Sequence, residues 1–157
     1  SERGKGTTFK IYIPLFIERR DYAQYHDNAI QNLFRGTETI LIVEDEISIL
    51  KMIKKMLEIL GYTVLEASDP FEALEIAKNY IGTIHLLITD IIMPKMNGVD
   101  LSKLDSAIHP KIKTIYTSGY SADVLLKQAI SISDVNYLKK PVSFATLAST
   151  VRTVLDN

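Results

Sequence analysis

From Thr39 to the C-terminus the apolar residues change period repeatedly, from short continuous runs to helical stripes and back, and this alternation constrains the fold more than any other feature. A run such as residues 40–43, Ile-Leu-Ile-Val, is apolar at every position. Such a strand is covered on both faces, as happens when helices lie on either side of a parallel sheet. Five β-α units fit the pattern. Strands are predicted at residues 40–43, 62–65, 86–89, 114–117 and 135–138. The first helix carries its polar residues at Ser48, Lys51, Lys54, Lys55 and Glu58 and closes at Gly61. Further helices are predicted at 70–80, 98–107 and 122–130. A last one follows Ser143 as N-cap, with Phe144, Leu147, Ala148, Val151 and Val154 on one face. The fold class is α/β: a doubly wound, five-stranded parallel sheet with helices on both faces. Ligands of such a sheet gather beyond the carboxyl ends of its strands.

Composition removes several function classes. The formal net charge of -1 leaves no basic footprint for nucleic-acid phosphates or for an anionic membrane. With no cysteine there is no disulfide and no thiolate metal site, which fits a reducing compartment, so a cytoplasmic setting is expected. No apolar run approaches the roughly 18–20 residues that span a bilayer.

Three carboxylates fall just past strand ends: Glu44 and Asp45 after the first strand, Asp90 after the third. Close carboxylates repel one another, so the cluster either holds protons or recruits a cation. All-oxygen ligation with room for waters and a phosphate suits Mg²⁺. Lys140, before Pro141, and Ser118, before Gly119, end the fifth and fourth strands at the same edge. A carboxylate nucleophile, a divalent metal, an ammonium and a hydroxyl are the parts of in-line phosphoryl transfer, where catalysis is mostly positioning and charge neutralisation.

Four segments carry a family likeness: Val43-Glu44-Asp45-Glu46, the nine residues from Asp90 to Gly98 (Asp-Ile-Ile-Met-Pro-Lys-Met-Asn-Gly), Ser118-Gly119-Tyr120 and Lys139-Lys140-Pro141. From about Thr39 onward the chain resembles the receiver domains of bacterial two-component response regulators. The resemblance implies a flavodoxin-like sheet of order 2-1-3-4-5 and a phosphoryl group accepted by Asp90 from phosphohistidine. It also implies Mg²⁺ held by Glu44, Asp45, Asp90 and the Ile92 carbonyl, with Lys140 on the acyl phosphate. Ser118 would be the switch hydroxyl, and Tyr137 the aromatic whose rotation follows it. Thr117 competes for the hydroxyl role, but Ser118 has the hydroxyl-Gly pair and lies 22 residues before Lys140. The implied partner is a histidine kinase phosphohistidine domain or a histidine phosphotransfer protein. Apolar residues beyond one core stripe on the first helix, among them Ile49, Met52 and Met56, suggest where its helix docks. Ile92 and Tyr120, bulky beside the acceptor, point to a long-lived phosphoryl state.

Residues 1–14, with Gly4, Gly6 and the run Thr7 to Pro14, resemble the closing glycine-rich box and final strand of a sensor histidine kinase ATP-binding domain. The expected organisation is therefore a remnant of that domain at 1–14, a helical linker at 15–37 and a receiver at 38–157, the tail of a hybrid histidine kinase. These residues alone are expected to lack kinase activity. An unpaired apolar strand seeks another edge, so self-association into a homodimer through residues 7–34 is a further expectation. Other readings are a phosphorylation-independent interaction module of the same fold and a phosphatase using Asp90. Against the phosphatase stands Ile92, where a second aspartate belongs. Against a flavin binder stands the acidic loop after the first strand. His26, His85 and His109 have no spacing that suggests a metal.

Overall fold

The structure is a computed structural model that describes residues 4, 9–12, 34–119 and 136–157. It contains β1 (Thr39–Val43), α1 (Ile47–Ile59), β2 (Thr63–Ala67), α2 (Pro70–Asn79), β3 (Leu86–Asp90), α3 (Gly98–Ile108), β4 (Lys113–Ser118), β5 (Asn136–Lys139) and α4 (Phe144–Asp156). The strands form one parallel sheet in the order β2-β1-β3-β4-β5. The predicted helix at 122–130, Tyr120, His26 and nearly all of the linker lie outside the described residues.

Side-chain alternation explains why the central strands are apolar throughout. Ile40 and Ile42 of β1 and Leu86 and Ile88 of β3 pack with Leu50, Ile53 and Leu57 of α1 and Leu147, Ala148 and Val151 of α4. Leu41, Val43 and Leu87 turn to the opposite face, against Ala73 and Ala77 of α2 and Leu101 of α3. Among the described residues each face thus takes two helices, and three of them start at a side-chain cap. Asp69 accepts from the Phe71 amide at 2.8 Å before α2, Asn97 from Asp100 at 2.9 Å before α3, and Ser143 from Thr146 at 3.2 Å before α4. At the other end of α1, Gly61 adopts a φ of 93°, the left-handed turn that glycine takes without steric cost.

Several predicted boundaries move. β3 and β4 run one residue further than their apolar runs, so Asp90 and Ser118 are terminal strand residues rather than loop residues. β2 spans 63–67 instead of 62–65, with Glu66 inside it. It is an edge strand among the described residues, and Glu66 pairs with Lys54 at 3.0 Å. Phe9, Ile11 and Tyr12, in the predicted N-terminal strand, are exposed and belong to no strand. His85 accepts from the Thr39 amide through Nδ1, and His109 Nε2 meets the Ala77 carbonyl; both serve the fold. Among the described residues no helix is long and apolar enough to cross a membrane.

Candidate functional site

The carboxyl edge of the sheet is rigid because hydrogen bonding continues past the strands. Glu44 N–H donates to Ala67 O at 3.2 Å, Ile91 N–H to Thr117 O at 3.1 Å, and Lys140 N–H to Ser118 O at 2.8 Å. Glu44 and Lys140, each one residue beyond its strand, are therefore fixed almost as firmly as Asp90 within β3. Along these strands Ile40 and Ile42 precede Glu44, Leu86 and Ile88 precede Asp90, and Leu138 precedes Lys140, all with the same parity. The side chains of Glu44, Asp90 and Lys140 consequently leave the sheet on the α1/α4 face.

They converge there. Lys140 Nζ donates to Asp90 Oδ2 at 2.7 Å and to Glu44 Oε1 at 2.9 Å. Glu44 Oε2 is also 2.7 Å from the ammonium, so both carboxylate oxygens of Glu44 face Lys140. Side-chain exposures of 2% for Glu44, 13% for Asp90 and 18% for Lys140 make this a desolvated cluster, where charge interactions are stronger than at the surface. Burial pushes the Glu44 carboxyl above its ordinary pKa against the opposing pull of Lys140. Burial works against the Lys140 ammonium too, but hydrogen bonds to Asp90 and Glu44 outweigh it and hold its pKa above the usual lysine value.

Exposed Asp45 completes an acidic triad. One carboxylate oxygen from each of Glu44, Asp45 and Asp90 falls within 4.8 Å of the others. One ammonium does not neutralise three carboxylates, and a small hard divalent cation matches the remaining charge and the all-oxygen donors.

The loop from Ile91 to Asn97 joins Asp90 to α3. Ile92 N–H donates to Asp90 Oδ1 at 3.3 Å, and its side chain is half exposed. Lys95 has φ 70° and is ion-paired to Asp69, fastening this loop to the start of α2, a tie that no motif in the sequence announces. Gly98 N–H donates to Ile91 O at 3.0 Å. A Cβ at Gly98 would stand 2.2 Å from the Asp90 carbonyl oxygen, so this glycine permits a close backbone approach and does more than punctuate the helix. Gly98→Ala is expected to cost about 1–3 kcal/mol in urea unfolding. An unchanged midpoint would mean that the approach is not constrained.

Ser118 and Thr117 are both buried, and neither side-chain oxygen has a hydrogen-bond partner among the described residues. Thr117 is the register partner of Asp90. Ser118 pairs with Lys139 and Tyr116 with Tyr137, so Ser118 and Tyr137 share the other sheet face on neighbouring strands. Tyr137 is half exposed. On α1, Met52 is exposed and Met56 is only partly covered by the core.

Residues 40–152 match the response regulator receiver domain. The chain belongs to this family. Its sequence is 37% identical to the sensor kinase CckA of Brucella abortus over 99% of the chain, which spans 17% of that kinase. It is 32% identical to the transcriptional regulatory protein CpxR of Escherichia coli K12, covering 74% of the chain and 48% of CpxR. Among solved structures, the receiver domain of the hybrid histidine kinase CckA superposes with a TM-score of 0.63 at 38% identity, covering 74% of this chain and 98% of that one. The chemotaxis response regulator CheY4 of Vibrio cholerae gives a TM-score of 0.66 at 26% identity, over 76% of this chain and 99% of CheY4. As a two-component receiver, the chain has the sheet order that its sequence motifs implied.

Proposed function

We propose that Asp90 accepts a phosphoryl group from a partner's phosphohistidine in a Mg²⁺-dependent reaction. The observation that carries this reading is the convergence of Lys140 on Asp90 and Glu44 with Asp45 at metal-ligating distance. The Asp90 carboxylate attacks phosphorus, the P–N bond breaks as the P–O bond forms, and the imidazole takes up a proton, leaving an acyl phosphate. Glu44, Asp45, Asp90 and the Ile92 carbonyl are the residues that would hold Mg²⁺, which supplies charge neutralisation for the phosphoryl oxygens. Lys140 balances charge on the opposite side of Asp90. The Ser118 hydroxyl, buried without a partner among the described residues, is suited to bond a phosphoryl oxygen, and Tyr137 on the same sheet face is suited to follow it inward.

The partner is a histidine kinase dimerisation domain or a histidine phosphotransfer protein, its helix laid near exposed Ile47 and Met52 of α1. Similarity to a sensor kinase extends over 99% of the chain, beyond the receiver match that begins at residue 40. It supports a hybrid-kinase origin, with residues 1–14 the end of an ATP-binding domain, 15–37 a linker and 38–157 the receiver, working in the cytoplasm.

Incubating the chain with phosphoramidate and Mg²⁺ should add one phosphoryl mass, lost on chelation and in Asp90→Asn. Labelling that survives Asp90→Asn would move the acceptor elsewhere. No labelling of the parent chain would favour a phosphorylation-independent interaction module.

A further inference from the structure

At the amino edge of the sheet, opposite the acidic site, residues 34–38 lie as a strap across the turn between α1 and β2. Gly36 N–H donates to Leu60 O at 3.1 Å, and Thr63 N–H donates to Glu38 O at 3.0 Å. Buried Tyr62 reaches through the turn, its hydroxyl donating to Phe34 O at 3.0 Å. Phe34 itself packs against the α1/α4 core. At Gly36 a Cβ would come within 2.2 Å of the Tyr62 ring, so the fit is close.

Arg152 of α4 closes this arrangement. Its Nη2 donates to Glu38 Oε1 at 2.8 Å and lies 2.8 Å from Asp156 Oδ1, while Nη1 approaches the Tyr62 hydroxyl at 3.5 Å. The guanidinium thus joins the strap, the tyrosine holding it and the C-terminal helix. At 18% and 24% exposure, the Arg152–Glu38 pair is shielded well beyond the usual surface pair. The strap, Leu60, Gly61 and Arg152 together line a shallow cleft open to solvent.

The same helix adjoins the acidic site at its N-terminal end, where its N-cap, Ser143, follows Lys140 by three residues, while its C-terminal end is held at the amino edge, where Lys113, the first residue of β4, donates to Leu155 O at 2.9 Å. We infer that residues 34–38, Tyr62 and Arg152 form a clasp through which the state of Asp90 acts on the segment preceding the sheet. The inference rests on the phosphoacceptor reading above. A phosphoryl group on Asp90 draws Lys140 from Glu44 toward the new oxygens. α4 shifts with its N-terminal turn, and the direction-sensitive Arg152–Glu38 pair is the contact that yields.

The test is hydrogen exchange at the Gly36 and Thr63 amides of the full chain, with and without phosphoramidate and Mg²⁺, phosphoryl occupancy being read by mass on the same samples. Phosphorylation should speed exchange at both amides about fivefold. Arg152→Ala should do so without phosphorylation, and phosphorylation should then add less than about twofold; Glu38→Gln tests the same contact without touching α4. By reciprocity, Mg²⁺ with beryllofluoride should bind Arg152→Ala about fivefold tighter than the parent chain. Full phosphorylation with unchanged exchange would overturn the clasp and leave the phosphoacceptor reading standing. Failure to phosphorylate would overturn both.

Discussion

Lys140→Ala is expected to lower stability at pH 7 by about 3 kcal/mol, slow phosphorylation by phosphoramidate, and tighten Mg²⁺ binding. Lys140 is the cation within 2.7–2.9 Å of both Glu44 and Asp90, and all three side chains are largely buried. Removing it leaves carboxylates facing one another without compensation. The loss has a definite pH dependence. Burial already raises the Glu44 pKa in the folded chain, so the Glu44 contribution is most favourable below the unfolded carboxylate range and declines as pH rises through the folded value. Without Lys140 that folded value climbs further, and the deficit should be small near pH 4 and grow toward pH 7. Lys140 has a raised pKa of its own, so its stabilising pair persists through neutrality and fades only above the ordinary lysine range.

Mg²⁺ and the ammonium seek the same oxygens, so the variant should bind the metal more tightly, on the order of tenfold, by calorimetry, and regain stability when it does. Urea unfolding across pH gives the first arm. A deficit that widened toward acid, or Mg²⁺ affinity that fell, would contradict this account of the pocket.

The sequence exposed the fold through periodicity and the site through its position at strand ends. Ile40 to Val43 could be assigned to a doubly covered strand because no polar residue interrupts it. Glu44, Asp90 and Lys140 stood out because each falls at or just past the end of a predicted strand, Lys140 directly before Pro141. What stayed hidden depends on distance in space without a period in sequence. Glu38 and Arg152 are 114 residues apart and each looks like an ordinary surface charge until β1 and α4 are placed side by side. Lys95 and Asp69 meet only because two loops rise at one edge. Boundaries moved for a related reason. Apolar runs report burial, whereas strands end where hydrogen bonding ends, so polar Asp90 and Ser118 close β3 and β4 although their side chains leave the apolar pattern.

Asp105→Asn is expected to stabilise the folded chain at pH 7 by roughly 1–3 kcal/mol, an unusual direction for a buried position. Asp105 lies one turn after Leu101 on the inward stripe of α3, with 1% exposure, and neither carboxylate oxygen has a hydrogen-bond partner among the described residues. A residue four after Leu101 shares its helix face, so helix periodicity alone places Asp105 inward. Burial pushes its pKa up, opposed only in part by His109 one turn further along α3. Because the folded pKa is raised, Asp105 is best tolerated below the unfolded aspartate range, and its contribution is lost as pH rises through the folded value. Asparagine has nearly the same shape and no charge to desolvate. The advantage of Asp105→Asn should therefore be nearly absent at pH 4, open as the carboxyl ionises, and level off above the folded pKa. α3 follows the acceptor loop through Gly98, so a firmer α3 should also slow hydrogen exchange in residues 98–108. An advantage of equal size at pH 4 and pH 7 would show that ionisation is not the cause, and a less stable variant at pH 7 would show that the carboxylate is satisfied after all.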